Sequence, residues 1–417
     1  MKRTKRIVTA AVTAALIFCM TLSCSLAENG TPVLSAEDQF SGRDLEQAPD
    51  LSGAKTVSVT DGQDVHLTAG GVYVLSGEAS GTTIYVEAGE DEKVQLVLDG
   101  LTVTNTDFPV IYVKTADKVF ITTSDDSSLS VTGTFTTDGD TGTDGVIFSK
   151  TDLTLNGTAA LAISSSDNGI AGKDDVKITG GTYTIKAASK AIEANDSIRI
   201  AGGTLDLTAG TDGLHAENNE DNTKGYIYIS GGTLTISAGD DAVHANTVVQ
   251  VDGGSVYAAG AEGIEGTYIQ FNGGTVSIQA SDDGINAARK SSAYTPTVEI
   301  NDGDITVTMG AGDTDGIDSN GNIIVNGGTV QVTGNSTFDY DGSAQYNGGV
   351  IIANGQQVNT IPNQMMGGRG GWGGFGGGDP GNLGNGGSGS FGSEGSGEAG
   401  GFGGGTGGRN GHGKPGW

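Results

Sequence analysis

Acidic side chains recur along this chain at a spacing that a single loop does not explain. Asp144, Asn168, Lys190, Asp212, Asp241, Glu262, Asp283, Asp315 and Asp341 each stand directly before a Gly or Ala, mostly in segments of the form Asp-Gly-Ile-x-Ala. Three residues further on come Glu193, His215, His244, Glu265, Asn286 and Asp318, and Asp240 and Asp282 add carboxylates at the preceding turn. If these segments stack, the two sets become parallel columns. Like charges a few ångströms apart repel unless something neutralises them. Oxygen-rich sets of irregular geometry suit Ca²⁺, which takes six to eight oxygens. The expected calcium ligands are therefore Asp212, Asp240, Asp241, Glu262, Glu265, Asp282, Asp283, Asn286, Asp315 and Asp318. Asp-Gly is also ordinary corner chemistry. The regular second acid or amide beside the first favours a cation over that simpler reading.

Other chemistry is harder to place. His215 and His244 fall in consecutive repeats next to Asp212 and Asp241. Without a preformed three- or four-ligand spacing, solvated or hydrogen-bonded histidines are a simpler expectation than zinc. Lys190 interrupts the acidic column, where it neutralises its neighbours. It is also the one weak candidate for a base that removes the C5 proton of a uronic acid, but acidic neighbours hold a lysine charged, which argues against that role. No Ser-His-Asp order, phosphate-binding glycine loop or metal-hydrolase motif is present, and carboxylate pairs are too abundant to mark a glycosidase. No catalytic set is assigned. Cations and aromatic rings gather just before the Gly-Gly pairs, at Lys177, Arg199, Tyr226, Tyr228 and Tyr268. Such a strip would stack sugar rings and attract uronate carboxylates, although tyrosine is common on exposed strands in any case.

These residues need a repeating scaffold. From Asn156 onward a Gly-Gly or near equivalent recurs every 20 to 29 residues, the longest steps containing the insertions 217–225 and 288–296, so the underlying period is near 22. Each unit reads as a strand ending at Gly-Gly, a Thr-x-Thr-x strand, a turn and the Asp-Gly-Ile segment. Apolar residues alternate at period two, which excludes helical repeats, and propeller blades need about twice this period. The expected fold is all-β: a single-stranded, right-handed parallel β-helix whose coils stack about 4.8 Å apart. Alternation turns Val176, Ile198, Ile227, Leu234, Val243, Ile264 and Ile285 inward and leaves the acid columns and the cation-aromatic strip outward.

The chain divides into four parts on this reading. Residues 1–27 read as an export signal, with Lys2, Arg3, Lys5 and Arg6 before an apolar run and Ser25-Leu26-Ala27 as the cleavage site; lipidation at Cys24 is the rival. Residues 28–53 form a polar leader, 54–362 the β-helix, and 363–417 a disordered tail with 27 glycines in 55 residues. Cys19 and Cys24 are the only cysteines, so no disulfide holds the body together once the signal is removed. A net charge of −29 repels nucleic acid and anionic membrane, and no second apolar stretch reaches membrane-spanning length. The product is expected to be secreted or attached to the cell surface.

The segments GVYVLSG (71–77), VQLVLDG (94–100) and FPVIYVKTADKV (108–119), together with repeated Gly-Gly-Thr-x-x-Ile and Asp-Asp-Gly-Ile, give a combination similar to the secreted carbohydrate-binding β-helix proteins of clostridia and related bacteria. The resemblance covers about residues 55 to 355. It implies a pectate-lyase-like parallel β-helix that binds calcium and plant cell-wall polysaccharide, cellulose or polygalacturonate-like chains. It carries over no catalytic residues. The arginine-centred site of true pectate lyases has no counterpart here, which leaves a lyase as the second reading and a spacer or adhesin rod as the third.

Overall fold

The structure, a computed structural model, describes residues 30–364 apart from residue 313. The export signal expected at 1–27 and nearly all of the glycine-rich tail fall outside these residues. Strands supply nearly all of the regular structure among the described residues, with one short 3₁₀ turn at Ala36–Asp38. No helix among the described residues is long and apolar enough to cross a membrane.

Three strands make a coil. Asp241–Ala245, Val248–Val251 and Ser255–Gly260 form one, and Glu262–Gly266, Tyr268–Phe271 and Thr275–Ala280 form the next. Each strand pairs in parallel with its equivalent one coil on, as in Val243↔Ile264, Val249↔Ile269 and Val256↔Val276. The third-segment strands build a sheet of twelve. The strands before and after Gly-Gly build the other two faces, which join into one 24-stranded sheet. Long early strands, Gly71–Ser80 and Lys93–Asn105, run through that corner without a break. Parallel pairing around a closed coil makes the fold a parallel β-helix, and the period of about 22 is the length of one coil.

The inward residues expected from alternation are all in one continuous core; Ile198, Ile227, Val243 and Ile285 have no exposed surface. Two kinds of glycine permit the stacking. The second glycine of each pair turns the corner with positive φ, as at Gly254 (88°) and Gly274 (86°). The glycine of Asp-Gly-Ile has a different reason: a Cβ on Gly263 would stand 2.3 Å from Ile278 Cγ2 and 2.4 Å from Gly284 O, with no positive φ. The space inside the coil requires that glycine, not a turn. At the far end Val350–Ala353 pairs antiparallel with Gln356–Val358, so the last coil does not offer an open edge there.

The leader is the main departure from the expected organisation. Residues 30–47 lie lengthwise across many coils of the rod, running against the direction in which the coils climb. Gly30 N donates to Asn301 Oδ1, Val33 N to Gln270 Oε1 and Leu34 N to Gln250 Oε1, while Gln270 Nε2 and Gln250 Nε2 return bonds to Thr31 O and Leu34 O. Further along, Phe40 meets the Tyr228 ring at 6.1 Å. Asp44, with no exposed surface, sits against Lys118 Nζ at 2.5 Å and Thr154 Oγ1 at 3.0 Å. Gln47 then reaches Gly157 N and Thr179 O.

Candidate functional site

The third sheet carries the acids, and its register settles their alignment. One row runs Glu193, His215, His244, Glu265, Asn286, Asp318 and on to Asp339. In the other, Asp241 pairs with Glu262, while Asp241 N bonds to Asp212 Oδ1 and Asp315 N to Asp283 Oδ1 across neighbouring coils. Two members of the expected column do not belong to it. Asn168 pairs with Gly145 rather than Asp144, and Asp315 pairs with Ser336 rather than Asp341. Those two coils align by their inward residues, Ile147 and Phe338, and not by their glycines. Asp240 and Asp282 lie exposed at the turn outside both rows.

The electrostatics change along the rows. At the early end Lys190 Nζ contacts Glu193 Oε1 at 3.1 Å and Asn168 Nδ2 donates to Glu193 Oε2, so local charge is balanced. In the middle, burial pushes Glu265 up but is outweighed by His244 and Lys290, whose Nζ lies 2.6 Å from Glu265 Oε1. Lys290 belongs to the 288–296 insertion and was not legible as part of the site. Beyond it no described cation answers the carboxylates. Burial, with Glu265 and Asp241 beside it, pushes Glu262 up to about 8. Burial and the neighbouring Asp282 and Asp315 raise Asp283 to about 6. Burial together with Asp283, Asp315, Asp339 and Asp341 raises Asp318 to about 7. Several oxygens here are buried with no hydrogen bond: Asn286 Oδ1, Asp315 Oδ1, Asp339 Oδ1, Thr314 Oγ1 and Ser336 Oγ. They come from three successive coils, since Asn286, Asp318 and Asp339 are register partners and Asp315 pairs with Ser336.

A contrasting cluster shows what balance looks like. Asp174, Asp175 and Asp196 also approach one another, but Arg199 Nη2 lies 2.8 Å from Asp175 and Lys224 Nζ 2.6 Å from Asp196. Internal cations already serve that corner, apart from Asp174, which burial and its hydrogen bond with Asp196 raise to about 7.

The cation-aromatic strip does point away from the coil interior, as alternation requires, yet it is not open. Lys177 is 7 % exposed and Tyr228 1 %, because the leader lies over them. Arg199 Nη1 donates to Gln39 O, Tyr226 OH to Gln39 Oε1, Tyr228 OH to Asp252 Oδ2 and Tyr268 OH to Glu299 Oε2. At Lys177, Arg199, Tyr226 and Tyr228 the face expected to stack sugars is occupied by the chain's own N-terminal segment, whereas Tyr268 packs against Tyr294. Sequence reasoning missed a second aromatic row on the acid-bearing sheet: His66, Tyr85, Tyr112 and Phe148 are consecutive register partners. His66 stacks on Tyr85 at 4.7 Å, and Lys114 Nζ lies over both Tyr85 and Tyr112. The repeated Ile-Tyr-Val, Ile-Tyr-Val and Ile-Phe-Ser triplets are the signal that marks it.

The molecule is a parallel β-helix with a cation-deficient acidic face on one sheet. Within that class the chain belongs to the family described as carbohydrate-binding domain-containing protein, whose model matches residues 61–314 and 256–358. A carbohydrate-binding domain-containing protein of Acetivibrio thermocellus is 41% identical over 169 residues, which is 39% of this chain and 59% of that protein. The chain therefore spans somewhat more than half the length of this relative. A polysaccharide lyase-like protein from C. thermocellum, solved as a gadolinium derivative, is similar over 53% of this chain and 92% of its own, at 30% identity and a TM-score of 0.44.

Proposed function

We propose that this chain is an extracellular, calcium-dependent binder of plant cell-wall polysaccharide, acidic polygalacturonate-like chains and/or cellulose, with calcium held on the third sheet. Carbohydrate binding follows from the family; the cation and the ligand are the added reading. One observation carries it: oxygens of Asn286, Asp315, Asp339, Thr314 and Ser336, on three consecutive coils, are buried without hydrogen bonds, near carboxyls whose protonation is raised. An all-oxygen set of this kind fits Ca²⁺ and tolerates its irregular geometry, whereas Mg²⁺ demands a stricter octahedron. Asp283, Asn286, Asp315 and Asp318 would be the protein ligands, and calcium would supply a positive charge to which uronate carboxylates are drawn. Asp212, Asp241 and Glu265, equally expected as calcium ligands, are engaged by histidine and lysine and are less suited.

The test is retention on insoluble cellulose, pectate and xylan, with calcium and with chelator. Retention on pectate that disappears with chelator is the expected result. Retention indifferent to chelator, together with no calcium binding by calorimetry, would remove calcium from the function.

A further inference from the structure

Midway along the third sheet the acid rows cease to be purely oxygen. Asp212 and His215 lie on one coil, Asp241 and His244 on the next, and Glu265 follows His244 in its row. His244 Nδ1 stands 2.7 Å from Asp241 Oδ2 and 2.8 Å from Glu265 Oε2. An imidazole nitrogen carries at most one proton, and a hydrogen bond has one good direction. Two carboxylate oxygens aimed at a single nitrogen are more than that proton serves. The three ligand atoms lie within 4.8 Å of one another. A second observation comes from the preceding coil. His215 is 7 % exposed, and its Nδ1 makes no hydrogen bond of good geometry although Asp212 Oδ2 is 2.8 Å away. Its Nε2 faces Glu217 Oε2 at 3.1 Å, and the two imidazoles are stacked at 4.6 Å.

We infer that Asp241, His244 and Glu265 hold a divalent transition-metal ion of the zinc class, with Asp212 and His215 beside it on the neighbouring coil, separate from the oxygen-only calcium position further along the rod. Imidazole with carboxylate suits zinc, cobalt and nickel, whereas calcium and magnesium take oxygen. Nδ1 would bind in its neutral form, with the metal in the place its proton holds. Glu265 has one oxygen, Oε1, fixed by Lys290 Nζ and the other directed at His244, which is how an outer partner orients a ligating carboxylate. A cleft of about 300 Å³ lined by Asp212, His215, Asp241, His244, Glu265 and Lys290 among others gives the ion a path from solvent. The inference shares with the proposed function only the premise that these rows take cations.

The experiment titrates the full chain with Zn²⁺ by calorimetry in excess Ca²⁺, and with Co²⁺ followed by its visible absorption. Zinc binding that survives the calcium, and a cobalt band, are expected. His244→Asn and Glu265→Gln, checked for native circular dichroism, should each weaken Zn²⁺ by at least about 100-fold, since even loss of a group that supports a ligand costs 10- to 100-fold. Asp318→Asn should lose its response to calcium and keep the cobalt band, which separates this site from the calcium reading. The inference is overturned if zinc does not bind, if calcium displaces it mole for mole, if cobalt gives no band, or if neither His244→Asn nor Glu265→Gln affects binding. It is overturned equally if Asp318→Asn abolishes both metals.

Discussion

Asp318 lies between Asn286 and Asp339 in its row, and its carboxyl is raised by burial and by Asp283, Asp315, Asp339 and Asp341. Replacing it with Asn removes a charge that its neighbours repel. In chelator, Asp318→Asn is expected to melt above the wild type; in calcium, the order should reverse because a ligand oxygen is weakened. Thermal melts of both proteins under both conditions check this, and a variant that melts lower in chelator as well would show that the carboxylate is already compensated. At this scale most of the site was legible, because the period placed Asp241, Glu262, Glu265 and Asn286 in columns without any structure. Asp144 and Asp341 were misplaced because glycine was used as the ruler, whereas packing aligns coils by the aliphatic residue inside. Lys290 was hidden because an insertion carries no period.

Among elements, the leader is held largely by one column of outward side chains, since Thr154, Lys177, Arg199, Tyr228, Gln250 and Gln270 are consecutive register partners. The period marks that column, but nothing in residues 28–53 repeats with it, so the segment that covers Lys177 and Tyr228 was not legible. Asp44 is the tightest of these contacts. With Lys118 and Lys177 themselves mostly buried around it, Asp44→Ala leaves two cations without their shared carboxylate, and breaking a buried pair in this way costs about 3 kcal/mol or more. The loss is expected as a lower urea midpoint and as faster amide exchange in residues 30–47. Wild-type values of both would mean that the leader only rests on the rod. The coil glycines invite a second check. Gly263→Ala has no room beside Ile278 and the Gly284 carbonyl, and is expected to destabilise by about 1–3 kcal/mol, as overpacking of a full core does. An unchanged melting curve would contradict the spatial reason given for that glycine.

For the whole molecule, pH and calcium should act against each other. Asp283, Asp318 and Glu262 have folded-state values raised to about 6, 7 and 8, above those of an unfolded carboxyl. Each therefore contributes stability that is fully present below the unfolded value and is lost as pH rises through the folded one. His244, raised to about 9 by Asp241 and Glu265 against the effect of burial, has the same sign in a higher window. Without divalent ions the rod should melt progressively lower between about pH 4 and pH 8. Saturating calcium, which binds only the ionised folded form, should flatten or invert that slope. Equal slopes with and without calcium would mean that the ladder takes no ion. On pectate with calcium we expect no unsaturated product absorbing in the ultraviolet; a signal lost in Lys190→Ala would establish lyase chemistry instead.

The leader also fixes an order of events. Gly30 bonds across 271 positions to Asn301, and Leu34 across 216 to Gln250. Chains are made from the N-terminus, and contacts so distant in sequence form late. The earliest part of the body to be synthesised is thus among the last to find its place, after coils that reach residue 301 exist to receive it. A stack of coils joined only to their neighbours would fray from either end. Once seated, this segment ties early coils to late ones, so that opening any one of them must first unlatch a strap that the others share.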